Sequence, residues 1–284
     1  MLPPGFPMPT LARATDAEAF VAARVAEGSD YIKLILETDS EVSPGEHMPS
    51  LSRDTLCAAI AAAHAHARMA VVHISKQDDA REAIECGADG LAHLFSDRQP
   101  DADLVRYAAR RHVFVVTTLA VIAGVSGGTF GRDMAADPRV SPFLSGGQRR
   151  SLTRSRPVTR ESSLGNAMAA ALSLHRAGVP LLAGSDSPGP QTVHGAALHE
   201  ELQLLVRAGL TPLEALRAAT ARPARIFHLP GRGRIALGYR ADLLLVRGNP
   251  TISIGDTLSI ERIWKNGYPV DRLPPAPPSP PAAG

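Results

Sequence analysis

The sequence predicts an α/β protein built on a parallel sheet. Between residues 30 and 186, short apolar runs alternate with longer helical stretches. That alternation is the pattern of repeated βα units. Four of the five apolar runs also end at or near a polar residue: His73, His93, Thr117 or Thr118, and Asp186. In barrels and open α/β sheets that end of each strand carries the chemistry.

In chain order, residues 1–14 are Pro-rich and irregular. Thr15 to Glu27 reads as a helix that Thr15 can cap, with Ala19, Phe20, Ala23 and Val25 as its apolar side. A strand follows at 30–36. Ser52 opens an Ala-rich helix to about Arg68, and "MAVVHIS" is the next strand. Gln77 to Cys86 is a helix stopped by Gly87. The strand "DGLAHLF", a helix from Asp101 to Arg110 and the strand "HVFVVTTLAV" come next. Residues 120–160 read as a long connection whose glycines and arginines suit a mobile cover. The helix "SLGNAMAAALSLHRAG", the strand "VPLLAGSD" and two helices, at about 195–208 and 212–227, complete the pattern. Beyond His228 the chain changes to short β segments with Gly turns, and 271–284 is a Pro-rich tail expected to be disordered.

Bulk composition narrows the function classes. The 284 residues carry a net charge of +2, with 44% hydrophobic and 4% aromatic residues. Scattered basic residues with few aromatics give no basis for nucleic-acid binding. No apolar run approaches the roughly 20 residues of a membrane span. "MLPPGFPMPT" has neither the basic nor the apolar region of a signal peptide. Cys57 and Cys86 form no metal or redox motif, which suits a reducing, cytoplasmic setting.

Lys33 stands inside the apolar run "YIKLIL" and is one of three lysines among 30 basic residues. An unpaired ammonium is costly to bury. Lys33 therefore either snorkels from a strand end, makes an ordinary ion pair, or does something only an amine can do. Lys33, His73, His93 and Asp186 fall on four strands, and two imidazoles with a carboxylate suit zinc, manganese or iron. A lysine amine that reacts with CO₂ becomes an anionic carbamate and can join such a set.

The stretches "DYIKLILE", "MAVVHISKQDDAREAIECGADGLAHLF", "GVPLLAGSDSPGP", "HGAALHEELQLLVRAGLTPLEALRAATARPARIF", "GRGRIALGYRADLLLV" and "IERIWKNG" resemble the amidohydrolase superfamily, in its prolidase-like and imidazolonepropionase-like branch. The resemblance spans about residues 15 to 270. It implies a TIM-type (β/α)8 barrel with a small β-sandwich. Lys33 resembles the family's carbamylated lysine on strand 4, and His73 and His93 the metal ligands on strands 5 and 6. Asp186 resembles the strand-8 aspartate, a ligand that also takes a proton from metal-activated water. The family's His-x-His motif of strand 1 has no counterpart, since only 32 residues precede Lys33 and one βαβ unit needs about 30.

The resemblance therefore implies an N-terminally truncated, incomplete (β/α) barrel holding the equivalents of strands 4–8. The division expected is an N-terminal segment and helix at 1–28, a partial barrel at 29–228, a sandwich remnant at 229–270 and the tail. His64-Ala65-His66 spells His-x-His but lies on a helix, where residues i and i+2 are about 200° apart.

The expected activity is metal-dependent hydrolysis of an amide, ester or cyclic amide bond, with Asp186, His93 and His194 catalytic. The cofactor expected is a divalent metal, zinc before others and one ion rather than two, with a carbamate on Lys33. A small-molecule substrate and a homodimer covering the open barrel side are expected as partners. Two alternatives stay open: metal-free acid/base chemistry on the same residues, and a non-catalytic binding protein. His194 could contact substrate or simply begin its helix. Glu46 and His47 could replace a missing ligand. His199, Glu200, His112, His175 and His228 read as structural.

Overall fold

The computed structural model describes residues 9–37, 50–154 and 163–274. Glu46 and His47 lie outside the described residues. The expected parallel sheet is present, with strands β1 (Tyr31–Ile35), β2 (Met69–His73), β3 (Gly90–Ala92), β4 (Phe114–Val116) and β5 (Leu181–Leu182). Sequence order is also spatial order, and every neighbouring pair is parallel. Helices α1 (Ala17–Ala26), α2 (Arg53–Ala65), α3 (Gln77–Glu85) and α4 (Ala102–Arg110) precede or connect the first strands. Between β4 and β5 come α5 (Leu119–Val125), α6 (Phe130–Ala136), α7 (Gly146–Thr153) and α8 (Leu164–Arg176). Helices α9 (Ala196–Arg207), α10 (Pro212–Ala219) and α11 (Ala221–Ile226) follow β5.

Local chemistry sets several of these boundaries. The Ser52 hydroxyl accepts from Thr55 N at the start of α2, and Ser163 does the same for Asn166 N at α8. Thr211 and Glu214 form a reciprocal capping box on α10, satisfying donors the first turn leaves unpaired. Thr15 does not cap α1, because a 3₁₀ turn at Ala14–Asp16 precedes that helix.

Period-two alternation divides the sheet into two faces. Ile32, Leu34, Leu36, Ala70, Val72, Ile74, Leu91, Val115 and Leu181 are buried against the helices in the main core. On the opposite face Val71, Ala92, Phe114 and Leu182 form a small cluster, packed by Met69, Val116, Ile226 and Phe227. Phe227 lies 5.6 Å from the Phe114 ring and 5.5 Å from the Tyr31 ring, centroid to centroid. One aromatic side chain following α11 therefore covers the lower part of this second face.

Four readings of the sequence change here. "HVFVVTTLAV" is not one strand: β4 stops at Val116, and Leu119 already begins α5. The supposed connection at 120–160 holds three helices, α5 to α7, with Met134, Ala135, Val140, Leu144 and Leu152 buried in a separate cluster completed by Val193, Ala196 and Leu258. Its glycines include Gly124 and Gly131, where a Cβ would collide with the backbone of Pro190 and Leu152, so they permit close packing rather than motion. The helix at 212–227 breaks at Thr220, whose ψ of −85° separates α10 from α11. Lys33 is not buried: β1 alternates exposed and buried residues, and Tyr31 and Lys33 lie exposed on the second face at the sheet's edge.

Beyond α11 the chain turns repeatedly and then forms an antiparallel sheet of β6 (Leu243–Val246), β7 (Ile260–Lys265) and β8 (Tyr268–Val270). Among the described residues no helix is long and apolar enough to cross a membrane.

Cys57 on α2 and Cys86 at the end of α3 are bonded as a disulfide, with Cα atoms 4.7 Å apart. The reading of these cysteines as forming no metal or redox motif did not anticipate this bond. Adjacent helix ends bring together residues 29 apart in sequence, which spacing alone does not reveal. A thiol titration in denaturant should find no free thiol before reduction and two after. Reduction should lower stability by about 3 kcal/mol, through the added freedom of the unfolded loop, read as a lower thermal midpoint.

Candidate active site

The second face of the sheet places its polar residues at one end. Lys33 pairs in register with Val71, which pairs with Gly90 and that in turn with Phe114. Two residues further along each strand, Ile35, His73, Ala92, Val116 and Leu182 form the next rung. Glu37, His93, Thr118 and Asp186 lie beyond it, where the strands run out. Lys33 is therefore in mid-strand, below the level of the two histidines.

Four of these strand-end residues form one hydrogen-bonded run. His73 Nε2 lies 2.8 Å from Glu37 Oε2, and Ser75 Oγ donates to Glu37 Oε1 at 2.8 Å. His73 Nδ1 lies 3.0 Å from His93 Nε2, and His93 Nδ1 meets Thr118 Oγ1. With both rings neutral, a single direction satisfies every atom. Thr118 donates to His93 Nδ1, His93 Nε2–H to His73 Nδ1, and His73 Nε2–H to the Glu37 carboxylate. Each second partner thus fixes which ring nitrogen carries the proton. His93 is 8% exposed. Burial first, then the nearby His73 and Lys33, hold its pKa well below the ordinary histidine value. Lys33 is thus close enough to His93 to act on it electrostatically.

A second polar group lies behind Thr118. Glu201 on α9 is fully buried. Its Oε1 accepts from Thr117 Oγ1, and its Oε2 from Ala120 N at 2.8 Å. Burial pushes the Glu201 carboxyl up to about 7, against the opposing pull of Thr117 and the Ala120 and Leu119 amides. Its neighbour Glu200 is pushed up to about 8 by burial, with Glu201 and Asp133 adding to the effect. Glu200 Oε2 is buried without a hydrogen-bond partner among the described residues. His199 is driven down to about 4 by burial, helped by Arg272 and Arg139.

The structure brings together two of the four expected ligands, His73 and His93. Asp186 is exposed, in a left-handed conformation at φ 49° after β5. His194 is exposed in the turn before α9. His64 and His66 engage different carboxylates, Asp89 and Glu18, each at 2.8 Å. Among the described residues no three His, Cys, Asp or Glu side chains converge as a metal-binding group. The imidazole pair itself fits an ion: two bonds of about 2.0–2.1 Å to one tetrahedral zinc put the nitrogens roughly 3.3 Å apart. The observed 3.0 Å is close to that separation. The pair supplies two of the three protein ligands a catalytic zinc ordinarily takes.

Glu37 and Glu201 were not singled out from the sequence. Glu37 continues the alternation Lys33, Ile35, Glu37 on the second face, so periodicity held a signal. For Glu201 the helical pattern held none.

Comparison with known proteins now decides the family. The sequence pattern of the amidohydrolase family matches residues 5–270. The chain belongs to this family. An ochratoxinase from Aspergillus niger is 36% identical over 98 residues, which are 32% of this chain and 19% of that protein. An imidazolonepropionase from Anaeromyxobacter sp. (strain K) is 47% identical over 73 residues, 25% of this chain and 17% of that protein. The solved structure of a putative prolidase from Bifidobacterium longum superposes with a TM-score of 0.72 at 24% identity, covering 97% of this chain and 65% of that one. That of A. niger ochratoxinase gives 0.66 at 21%, covering 94% and 58%. The amidohydrolase chain thus spans roughly three fifths of the solved structures it matches.

Glu200 gives a prediction with a definite sign. Its folded-state pKa of about 8 exceeds the ordinary glutamate value of 4.5, so the stability tied to its bound proton is full below 4.5 and lost as pH rises through about 8. Glu200→Gln mimics the protonated form. Relative to wild type it should gain at least about 1 kcal/mol of unfolding free energy between pH 5 and pH 8.5, measured by denaturant titration. An equal effect at both pH values would contradict this.

Proposed function

We propose that this amidohydrolase-family chain carries a hydrolytic centre for an amide, ester or cyclic amide bond, organised on His73 and His93 and dependent on a divalent ion. The observation that supports it most is the 3.0 Å approach of His73 Nδ1 to His93 Nε2, with each ring braced from behind by Glu37 or Thr118. When bound, a divalent ion polarises a carbonyl and lowers the pKa of water towards about 7.

In this reading His73 and His93 hold the ion, and zinc suits two imidazoles. Glu37 accepts His73 Nε2–H and so leaves His73 Nδ1 free to ligate. His93 ligates through Nε2 only when its proton sits on Nδ1. The Thr118 hydroxyl allows this, because it can accept from Nδ1–H as well as donate to Nδ1. Asp186 takes the proton of the attacking water, and Lys33, as an amine or a carbamate, lies on the same open face. His194 stands at the same end of the sheet, where a substrate would enter.

The domain reading is a partial barrel at 29–228, with 229–270 the remnant of a β-sandwich. A homodimer would cover the open side. Supporting it are β1 at the edge of the sheet and exposed Leu244, Leu245, Tyr268 and Val270 on the small sheet, since free edges and apolar patches invite a partner. Light scattering should then give twice the chain mass, and a monomer would contradict the dimer.

A second reading rests on the run itself. Glu37, His73, His93 and Thr118 form a continuous path for a proton, which could serve metal-free acid/base chemistry. Chelation discriminates the two. In the metal-dependent reading, the purified protein binds about one zinc per chain. Dialysis against a chelator then abolishes turnover of an N-acyl amino acid, lactam or ester panel, and zinc restores it. His73→Ala and His93→Ala should each lose zinc and at least about 100-fold in rate. Asp186→Ala should keep zinc and lose rate. Activity that survives chelation would favour the second reading.

A further inference from the structure

Glu201 lies one residue layer behind the run of strand-end side chains. Its two oxygens engage three consecutive points of the β4–α5 junction: the Thr117 hydroxyl, the Leu119 amide and the Ala120 amide. Between those points sits Thr118, in the left-handed region at φ 48° and ψ 39°. A β-branched residue rarely adopts that conformation, and it persists only where neighbours over-determine it. Thr118 is also the residue whose hydroxyl meets His93 Nδ1.

We propose that Glu201 is a positioning residue for His93: by clamping Thr117, Leu119 and Ala120 it holds Thr118 in the left-handed turn that aims its hydroxyl at His93 Nδ1. Rotation of Thr118 to negative φ would release its hydroxyl from the imidazole. His93 Nδ1 would then lose its hydrogen-bond partner, while His73 Nδ1 still accepts from Nε2–H. Glu201 touches neither histidine, so its effect reaches them only through the turn. The relevance of this to catalysis rests on the reading of His93 as a site residue. The effect on the ring does not.

The test compares variants by long-range ¹H–¹⁵N correlation of the histidine rings, with His93 assigned from its loss in His93→Ala, and by zinc titration calorimetry on the full chain. In wild type, His93 should show one neutral tautomer, with Nδ1 unprotonated and Nε2 protonated. Glu201→Gln should keep it, because its carbonyl can accept from Leu119 and Ala120 while its amide donates to Thr117. Glu201→Leu should displace the His93 Nδ1 shift, because Nδ1 loses its hydroxyl partner while His73 still accepts from Nε2–H. It should also weaken zinc binding about 10-fold or more, because the Nδ1–H of a ligating ring loses its acceptor. The His64 and His66 signals should not move. If Glu201→Leu fails to fold, Thr117→Val, which removes one clamp point, carries the test with the same displacement of the His93 shifts. A folded Glu201→Leu or Thr117→Val protein with wild-type His93 shifts would overturn the proposal. If wild type binds no zinc, the metal reading fails while the His93 ring-shift comparison still decides the role of Glu201.

Discussion

The edge-to-face meeting of His73 and His93, with ring centroids 4.5 Å apart and planes 82° apart, is the interaction around which the strand ends are arranged. Two imidazoles this close, His93 buried and His73 half-buried, cannot both carry charge without strong repulsion. They must be neutral or share a cation. In the neutral state each ring needs a donor on one side and an acceptor on the other. Glu37 and Thr118 supply the outer partners; Ser75 donates to Glu37, and Glu201 accepts from Thr117 and Ala120 on either side of Thr118. The polar layer is therefore built outward from two ring nitrogens, through partners contributed by β1, β4 and α9.

The same sheet has an unequal pair of faces. Helices cover one face continuously, and Ile32, Leu34 and Leu36 of β1 are buried against them. The other face is covered near Tyr31 and Phe114 by Phe227 and open at Lys33. This asymmetry lets a lysine sit within an apolar-looking strand at little desolvation cost. It also places Lys33 where its charge acts on His93. Accessibility to CO₂ or to a partner surface follows from the same exposure.

Much of the fold was legible because it depends on periodicity. All five parallel strands, the cap at Ser52 and the end of α3 near Gly87 follow from local pattern. Where the chain departs from that pattern, tertiary contacts decide. "HVFVVTTLAV" carries strand propensity throughout, yet Glu201, 81 residues from Ala120, captures the Ala120 amide and α5 begins at Leu119. The glycines of 120–160 looked like flexibility and instead allow backbones to touch. The alternation in β1 could have exposed the face of Lys33. "YIKLILE" puts Lys33, Ile35 and Glu37 on one side, but the apolar weight of the run masked it. His73 and His93 were legible as strand-end polar residues. The Cys57–Cys86 bond and the clamp by Glu201 join distant segments and left no local trace.

Anomalous X-ray diffraction above and below the zinc edge, on crystals grown with zinc, addresses the imidazole pair directly. The account predicts a zinc peak about 2.0–2.1 Å from both His73 Nδ1 and His93 Nε2, with Glu37 still on His73 Nε2. Metal-free density between the two rings at saturating zinc, with the direct ring-to-ring hydrogen bond intact, would contradict it.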